Sequence, residues 1–188
     1  FGTDDAFDFV KYRVKPGHFM LATIHRTSNT QSVDQILDLL RDINQLSQET
    51  DKRTLLPLHP RTRNLIDSSM GGLPIKGCES IEFCEPLSYR EILSCLRKAS
   101  LVITDSGGLQ KEAAFFNTPS VVLRAETEWT ELIDFGLARL SNPKNGDFLR
   151  NCHLQLASKA TLPLGFYGDG RAGDDILATL LAYYSPSH

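Results

Sequence analysis

A chain of 188 residues has room for one generous domain or two small ones, and 41% hydrophobic against 23% charged residues suits a globular protein with a buried core. The net charge of −3 offers no electrostatic footing for nucleic acid or an anionic membrane as a partner. No apolar run approaches the ~20 residues of a membrane span and no secretory leader is visible. Cys78, Cys84, Cys95 and Cys152 lack metal-binding spacing, so reduced, packed thiols in a cytoplasmic protein are expected, with no metal and no cofactor.

In chain order, Phe19 to Ile24 is wholly apolar apart from Thr23 and predicts a buried strand. Val33, Ile36, Leu37, Leu40, Ile43 and Leu46 recur at helical spacing behind Ser32, a capping residue type; the Asp34, Asp38, Arg41 and Asp42 charges fall on the solvated side. Thr54 to Leu58 predicts a strand ending at His59-Pro60, followed by a short helix from Arg61 to Ser69 that stops at Gly71-Gly72. Ser80 to Cys84 is a third strand, which leads through Glu85-Pro86-Leu87 into a helix from Ser88 to Lys98. Leu101 to Thr104 and Pro119 to Leu123 are further strands, with helices at Gly107 to Phe116 and Glu126 to Phe135. A last strand at Leu137 to Leu140 precedes helices at Asp147 to Ser158 and Ala172 to Tyr184, separated by a Gly-rich loop. Strands that each feed a helix predict an α/β fold, a Rossmann-like parallel sheet with helices on both faces.

Such sheets bind ligands outside the carboxyl ends of their strands. Five polar clusters fall there: Thr23 to Arg26, His59 to Arg61, Glu85-Pro86, Asp105 to Gly108, and Arg124 to Glu128. The most pointed is Thr104-Asp105-Ser106-Gly107-Gly108-Leu109-Gln110-Lys111-Glu112. A strand ending in Ser-Gly-Gly and turning into a helix offers unpaired N–H groups and the positive end of the helix dipole to an anion. Glu112 lies four residues beyond Gly108 on one helical face and suits a ribose diol. The glycines equally serve turn geometry alone. His25 and Arg26 either contact phosphate or cap and pair with nearby acids; Arg124 either clamps an anion or bridges to Glu126 or Glu128. His59-Pro60 equally ends a strand, and Tyr167-Gly168-Asp169-Gly170 reads as a tight turn.

Together, Thr23-Ile24-His25-Arg26, Leu58-His59-Pro60, the Asp105-to-Glu112 segment, Leu123-Arg124 with Thr127-Glu128, and Tyr167-Gly168-Asp169-Gly170 resemble the non-hydrolysing UDP-N-acetylglucosamine 2-epimerase family. The resemblance implies one half of a GT-B-like two-domain fold. Residues 1–188 would be the C-terminal UDP-binding domain, with the N-terminal catalytic domain absent and a homodimer formed at full length. It further implies that Ser106, Gly107 and Gly108 hold a diphosphate and Glu112 the ribose. Phe83, Pro86 and Leu87 would line the uracil pocket, while His25 and Arg124 face the UDP phosphates. Residues matching Arg26 and His59 help bind a second, activating nucleotide-sugar. The family's chemistry inverts C2 of the sugar through UDP elimination and re-addition, for surface polysaccharide precursors. Two departures stand out: His25-Arg26-Thr27-Ser28-Asn29 lacks an acid the family often carries, and Thr127-Glu128-Trp129-Thr130-Glu131 replaces Thr-Glu-Arg-Pro-Glu, as in the branch acting on diacetamido uronic acids. The rival expectations are a stand-alone UDP-sugar-binding module and the donor half of a GT-B glycosyltransferase.

Overall fold

The computed structural model describes residues 6–142 and 145–184. Six strands form one parallel sheet: β1 (Phe19–Thr23), β2 (Arg53–Pro57), β3 (Ile81–Cys84), β4 (Leu101–Thr104), β5 (Ser120–Val122) and β6 (Ala138–Leu140). Their order is β3-β2-β1-β4-β5-β6. The chain first winds outward from β1 to β3 and then returns to the other side of β1, which makes the β1–β4 boundary the switch point where open sheets bind ligands.

The helices are α1 (Val33–Thr50), α2 (Pro60–Met70), α3 (Tyr89–Lys98), α4 (Gly107–Phe115), α5 (Thr130–Asp134), α6 (Phe148–Leu156) and α7 (Ala172–Tyr184), with a 3-10 turn at Thr27–Asn29. Strand residues alternate between two faces, and both faces are covered, which is why the strands read as unbroken apolar runs. Met20, Ala22, Leu56, Leu101, Ile103 and Val121 pack with Leu40 and Ile43 of α1, Ile66 of α2 and Phe148 of α6. Phe19, Leu21, Leu55 and Val102 pack oppositely with Cys95 and Leu96 of α3, Ala113 of α4 and the segment carrying Phe7, Phe9 and Val14. A smaller cluster joins Val122 and Ala138 to Ala114 of α4 and Leu132 of α5.

The caps follow the sequence. Ser32 accepts from the backbone N–H of Gln35 at the start of α1. At α3, Ser88 and Glu91 exchange bonds with each other's backbone in a full capping box. His59 caps α2 through its own side chain, accepting from Arg61 N–H at 3.3 Å, with Pro60 at the first helical position. One expected boundary moves. The helix expected from Glu126 begins only at Thr130, because Thr127 is drawn off to other partners: its hydroxyl donates to Gln110 and accepts from the N–H of Trp129. All four cysteines are buried and free. No helix among the described residues is long and apolar enough to cross a membrane. α7 has no buried residue.

Candidate functional site

The switch point is closed by one carboxylate. Asp105, directly after β4, has no exposed surface. Its Oδ2 accepts from the backbone N–H groups of His25 (3.1 Å) and Arg26 (2.9 Å) and from Nδ2 of Asn29 (3.0 Å). Its Oδ1 faces Nδ1 of His25 at 2.9 Å and the His25 N–H at 3.2 Å. Asn29 gives its second amide hydrogen to the carbonyl of Leu123 at 3.1 Å, so the loop after β1 is fastened to those after β4 and β5. Below them, the Thr23 and Thr104 hydroxyls meet at 2.6 Å, and Thr104 also accepts from Ser106 N–H.

The other rim loops join this frame. Arg61 donates to Thr27 (3.1 Å) and Thr62 to the Ile24 carbonyl (3.3 Å), which ties α2 to the β1 loop. Arg63 reaches Glu85 at 3.6 Å, and Leu58 N–H donates to the Cys84 carbonyl, which brings in the β3 loop. β3 lies two strands away from β1 at the sheet edge, yet α3 packs beside α4 on one face. Its first residue, Tyr89, lines the same cleft as Glu112, close enough for each to shift the other's titration. Burial pushes the Glu112 carboxyl above its ordinary value, with Tyr89 opposing. The charge of Glu112 in turn raises the Tyr89 phenol. Leu87 packs in the cluster shared by α3 and α4.

The Ser106-Gly107-Gly108 turn opens α4, and Ser106 caps it by accepting from Leu109 N–H at 3.4 Å. Its two glycines differ in surroundings. A Cβ on Gly108 would meet nothing within 4 Å, whereas one on Gly107 would run into the Glu128 carboxylate. Glu128 is held by Arg124, Nη1 to Oε2 at 2.7 Å. Its own backbone N–H and that guanidinium keep its carboxyl below the ordinary value. Arg124 is thus paired with Glu128 while standing beside the Ser106-Gly107-Gly108 turn. The turn is braced from behind: Trp129 Nε1–H donates to the Gly107 carbonyl at 2.8 Å. Lys111 lies over both Trp129 (4.4 Å) and Tyr167 (4.1 Å), and the Tyr167 hydroxyl donates to Glu131. A cleft of about 670 Å³ runs along this outer face of α4, lined by Tyr89, Gly108, Lys111, Glu112, Trp129 and Tyr167 among others.

His25, Ser106, Gly107, Gly108 and Arg124 stand at or beside the switch point, and Glu112 lines the cleft on the outer face of α4. Leu87 packs on that α3–α4 face, whereas Phe83, expected beside it, packs on the opposite face with the α1–α2 core, because strand residues alternate. Arg26 is exposed, its backbone bound to Asp105; His59 is exposed and serves as a cap. Tyr89 is a site residue the sequence does not mark; Asn29, Gln110 and Trp129 stand in marked motifs without a structural role assigned to them, and the partnership of Asp105 with His25 is likewise new. The only signal for Asn29 is its place at the end of the His25-to-Asn29 motif. Among the described residues no group of acids, histidines and cysteines is assembled to hold a metal.

The model of the family described as UDP-N-acetylglucosamine 2-epimerase matches residues 4–181. The chain is 34% identical over 158 residues to a UDP-2,3-diacetamido-2,3-dideoxy-D-glucuronate 2-epimerase of Pseudomonas aeruginosa, covering 84% of this chain and 43% of that protein. It is 32% identical over 180 residues to a UDP-N-acetylglucosamine 2-epimerase of Methanococcus maripaludis, covering 95% of this chain and 48% of the relative. The crystal structure of a Methanocaldococcus jannaschii UDP-GlcNAc 2-epimerase in complex with UDP-GlcNAc and UDP superposes with a TM-score of 0.77 at 26% identity, over 93% of this chain and 47% of that one. The chain thus spans just under half the length of each, and its sheet has the fold of one half of these GT-B-like structures.

Proposed function

The chain belongs to the UDP-N-acetylglucosamine 2-epimerase family, and from that footing we propose that it is the C-terminal, UDP-binding half of a 2-epimerase acting on UDP-N-acetylglucosamine or a related UDP-2-acetamido sugar. The observation that carries this reading is the open Ser106-Gly107-Gly108 turn set directly beside His25 by Asp105. N–H groups at a helix start and an imidazole at its side suit the charge that grows on a departing diphosphate. Gly108 leaves room for phosphate against the backbone. Glu112 accepts from the ribose diol, exchanging Tyr89 for the sugar, and the Pro86-Leu87 loop receives the uracil. Arg124 reaches the phosphates by releasing Glu128. Arg26 and His59, on the same rim, would hold a second, activating nucleotide-sugar.

The reaction inverts C2. A base takes the C2 proton while the C1–oxygen bond to UDP breaks, giving a glycal; UDP adds back to C1 as a proton returns to the opposite face of C2. This half's task is to bind UDP, orient it and keep it from escaping. The acid–base groups come from the N-terminal half. The Pseudomonas relative, whose name is that of a diacetamido-glucuronate epimerase, and Trp129 in its motif favour a modified sugar. The exposed apolar side of α7 fits a partner half: Ile176, Leu177, Leu180 and Leu181 are all exposed. The setting is the cytoplasm, where nucleotide-sugars are made.

Calorimetric titration with UDP, against UMP, GDP and ADP, tests the site. Selective UDP binding is expected, with loss of it in Gly108→Asp and no fall in the thermal unfolding temperature, since a Cβ added there meets nothing within 4 Å. Equal binding of GDP and ADP, or an unaffected Gly108→Asp, would sink the reading.

A further inference from the structure

We infer that Asp105 is a positioning residue that fixes the tautomer of His25 and turns its Nε2 toward the departing phosphate. The inference rests on the phosphate-facing role given to His25 above.

Asp105 is fully buried and surrounded by donors. The backbone N–H groups of His25 and Arg26 can only donate, and Asn29 spends both Nδ2 hydrogens on oxygens, those of Asp105 and Leu123. These bonds already hold the loop after β1 through Oδ2. The contact of Oδ1 with His25 Nδ1 at 2.9 Å is an addition that loop anchoring does not require. A carboxylate accepts only, so Nδ1 must carry its proton toward Asp105. Nε2, on the far side of the ring, then bears the lone pair and faces the open rim, with no hydrogen bond among the described residues and the side chain 43% exposed. A proton taken by Nε2 gives an imidazolium with a buried counter-charge behind it and a donor in front, next to the Ser106 turn. The same residue that begins this turn therefore aims the imidazole at it.

Asn at this position keeps the shape and changes the hydrogen count. Its carbonyl oxygen must take the Oδ2 place, where three donors converge. Its NH2 then falls in the Oδ1 place and donates to Nδ1, which forces the ring into the Nε2–H tautomer. Long-range proton–nitrogen NMR of the 15N-labelled chain without nucleotide reads this directly. The wild type is expected to show His25 with Nδ1 pyrrole-like and Nε2 pyridine-like, and Asp105→Asn the reverse. A wild-type His25 in the Nε2–H form, or one tautomer in both proteins, overturns the inference. Should Asp105→Asn fail to fold, the wild-type spectrum still decides.

UDP titration of the double-mutant cycle adds the second arm. Asp105→Asn should weaken UDP about tenfold, the size of a lost charge-assisted contribution. In a His25→Gln background it should weaken UDP no further, because Asp105 acts through the ring. Additive losses would mean that Asp105 merely braces the fold and would overturn the positioning role. An unchanged affinity in His25→Gln with the expected tautomers would instead refute the phosphate role of His25 while leaving the Asp105–His25 coupling in place.

Discussion

Glu112 is the residue where environment most clearly meets function. Burial raises its carboxyl pKa, so the neutral form persists to higher pH than in an ordinary glutamate and the ionised form predominates only above that raised value. In the proposed role a ribose diol would donate to the ionised form. UDP affinity is therefore expected to fall as pH is lowered, beginning at higher pH than a free carboxylate would dictate, and titrations across mildly acidic pH will follow it. Glu112→Ala should weaken UDP by about 1.5–3 kcal/mol, the range for a hydrogen bond to a charged group, and remove that pH step. Gly107 offers a contrast with Gly108. Ala at 107 has to push aside the Glu128 carboxylate, the far end of a half-exposed side chain. This breaks the Arg124 pair at little structural cost, so UDP affinity should shift while the melting temperature stays put.

At the scale of the element, α3 links packing to the site. Its capping box holds the first turn from which Tyr89 reaches Glu112. Ser88→Ala should cost about 1 kcal/mol in urea unfolding, as loss of a helix cap does, and should leave UDP affinity unweakened, because Glu112 turns from Tyr89 to the sugar on binding. The thiols packed between helices and sheet should ignore Ellman's reagent until the chain unfolds, because burial drives the Cys84 pKa up to about 12 and those of Cys95 and Cys152 higher still. The elements themselves were legible because a parallel strand covered on both faces is a short unbroken apolar run between turn residues. β4 and its glycine turn show this plainly. The start of α5 was not, since a helix's first turn is commonly polar and the bond that draws Thr127 away goes to Gln110, distant in sequence. The same reason hid the Asp105–His25 contact and the Trp129 brace. A bond between residues 80 positions apart leaves no periodic trace, whereas the Ser-Gly-Gly turn carries its chemistry within three consecutive residues.

For the molecule as a whole, α7 stands apart from the sheet. None of its residues is buried, so it adds little to the stability of the rest. A chain ending at Arg171 should unfold at the same temperature as the parent, as scanning calorimetry will show, and should self-associate less, because Leu177, Leu180 and Tyr184 leave with the helix. The order of the sheet has a kinetic consequence. β1 and β4 are neighbours in space with β2 and β3 wound between them in the chain, so Asp105 and the glycine turn behind it meet His25 only after a long loop has closed. Trp129, the sole tryptophan, is bonded to that turn and lights the event. After dilution from urea, helical signal should return first, and tryptophan emission and UDP binding last and together. On the proposed function, the nucleotide site is then a clock for the fold: a molecule that holds UDP would be one whose central sheet has finished assembling.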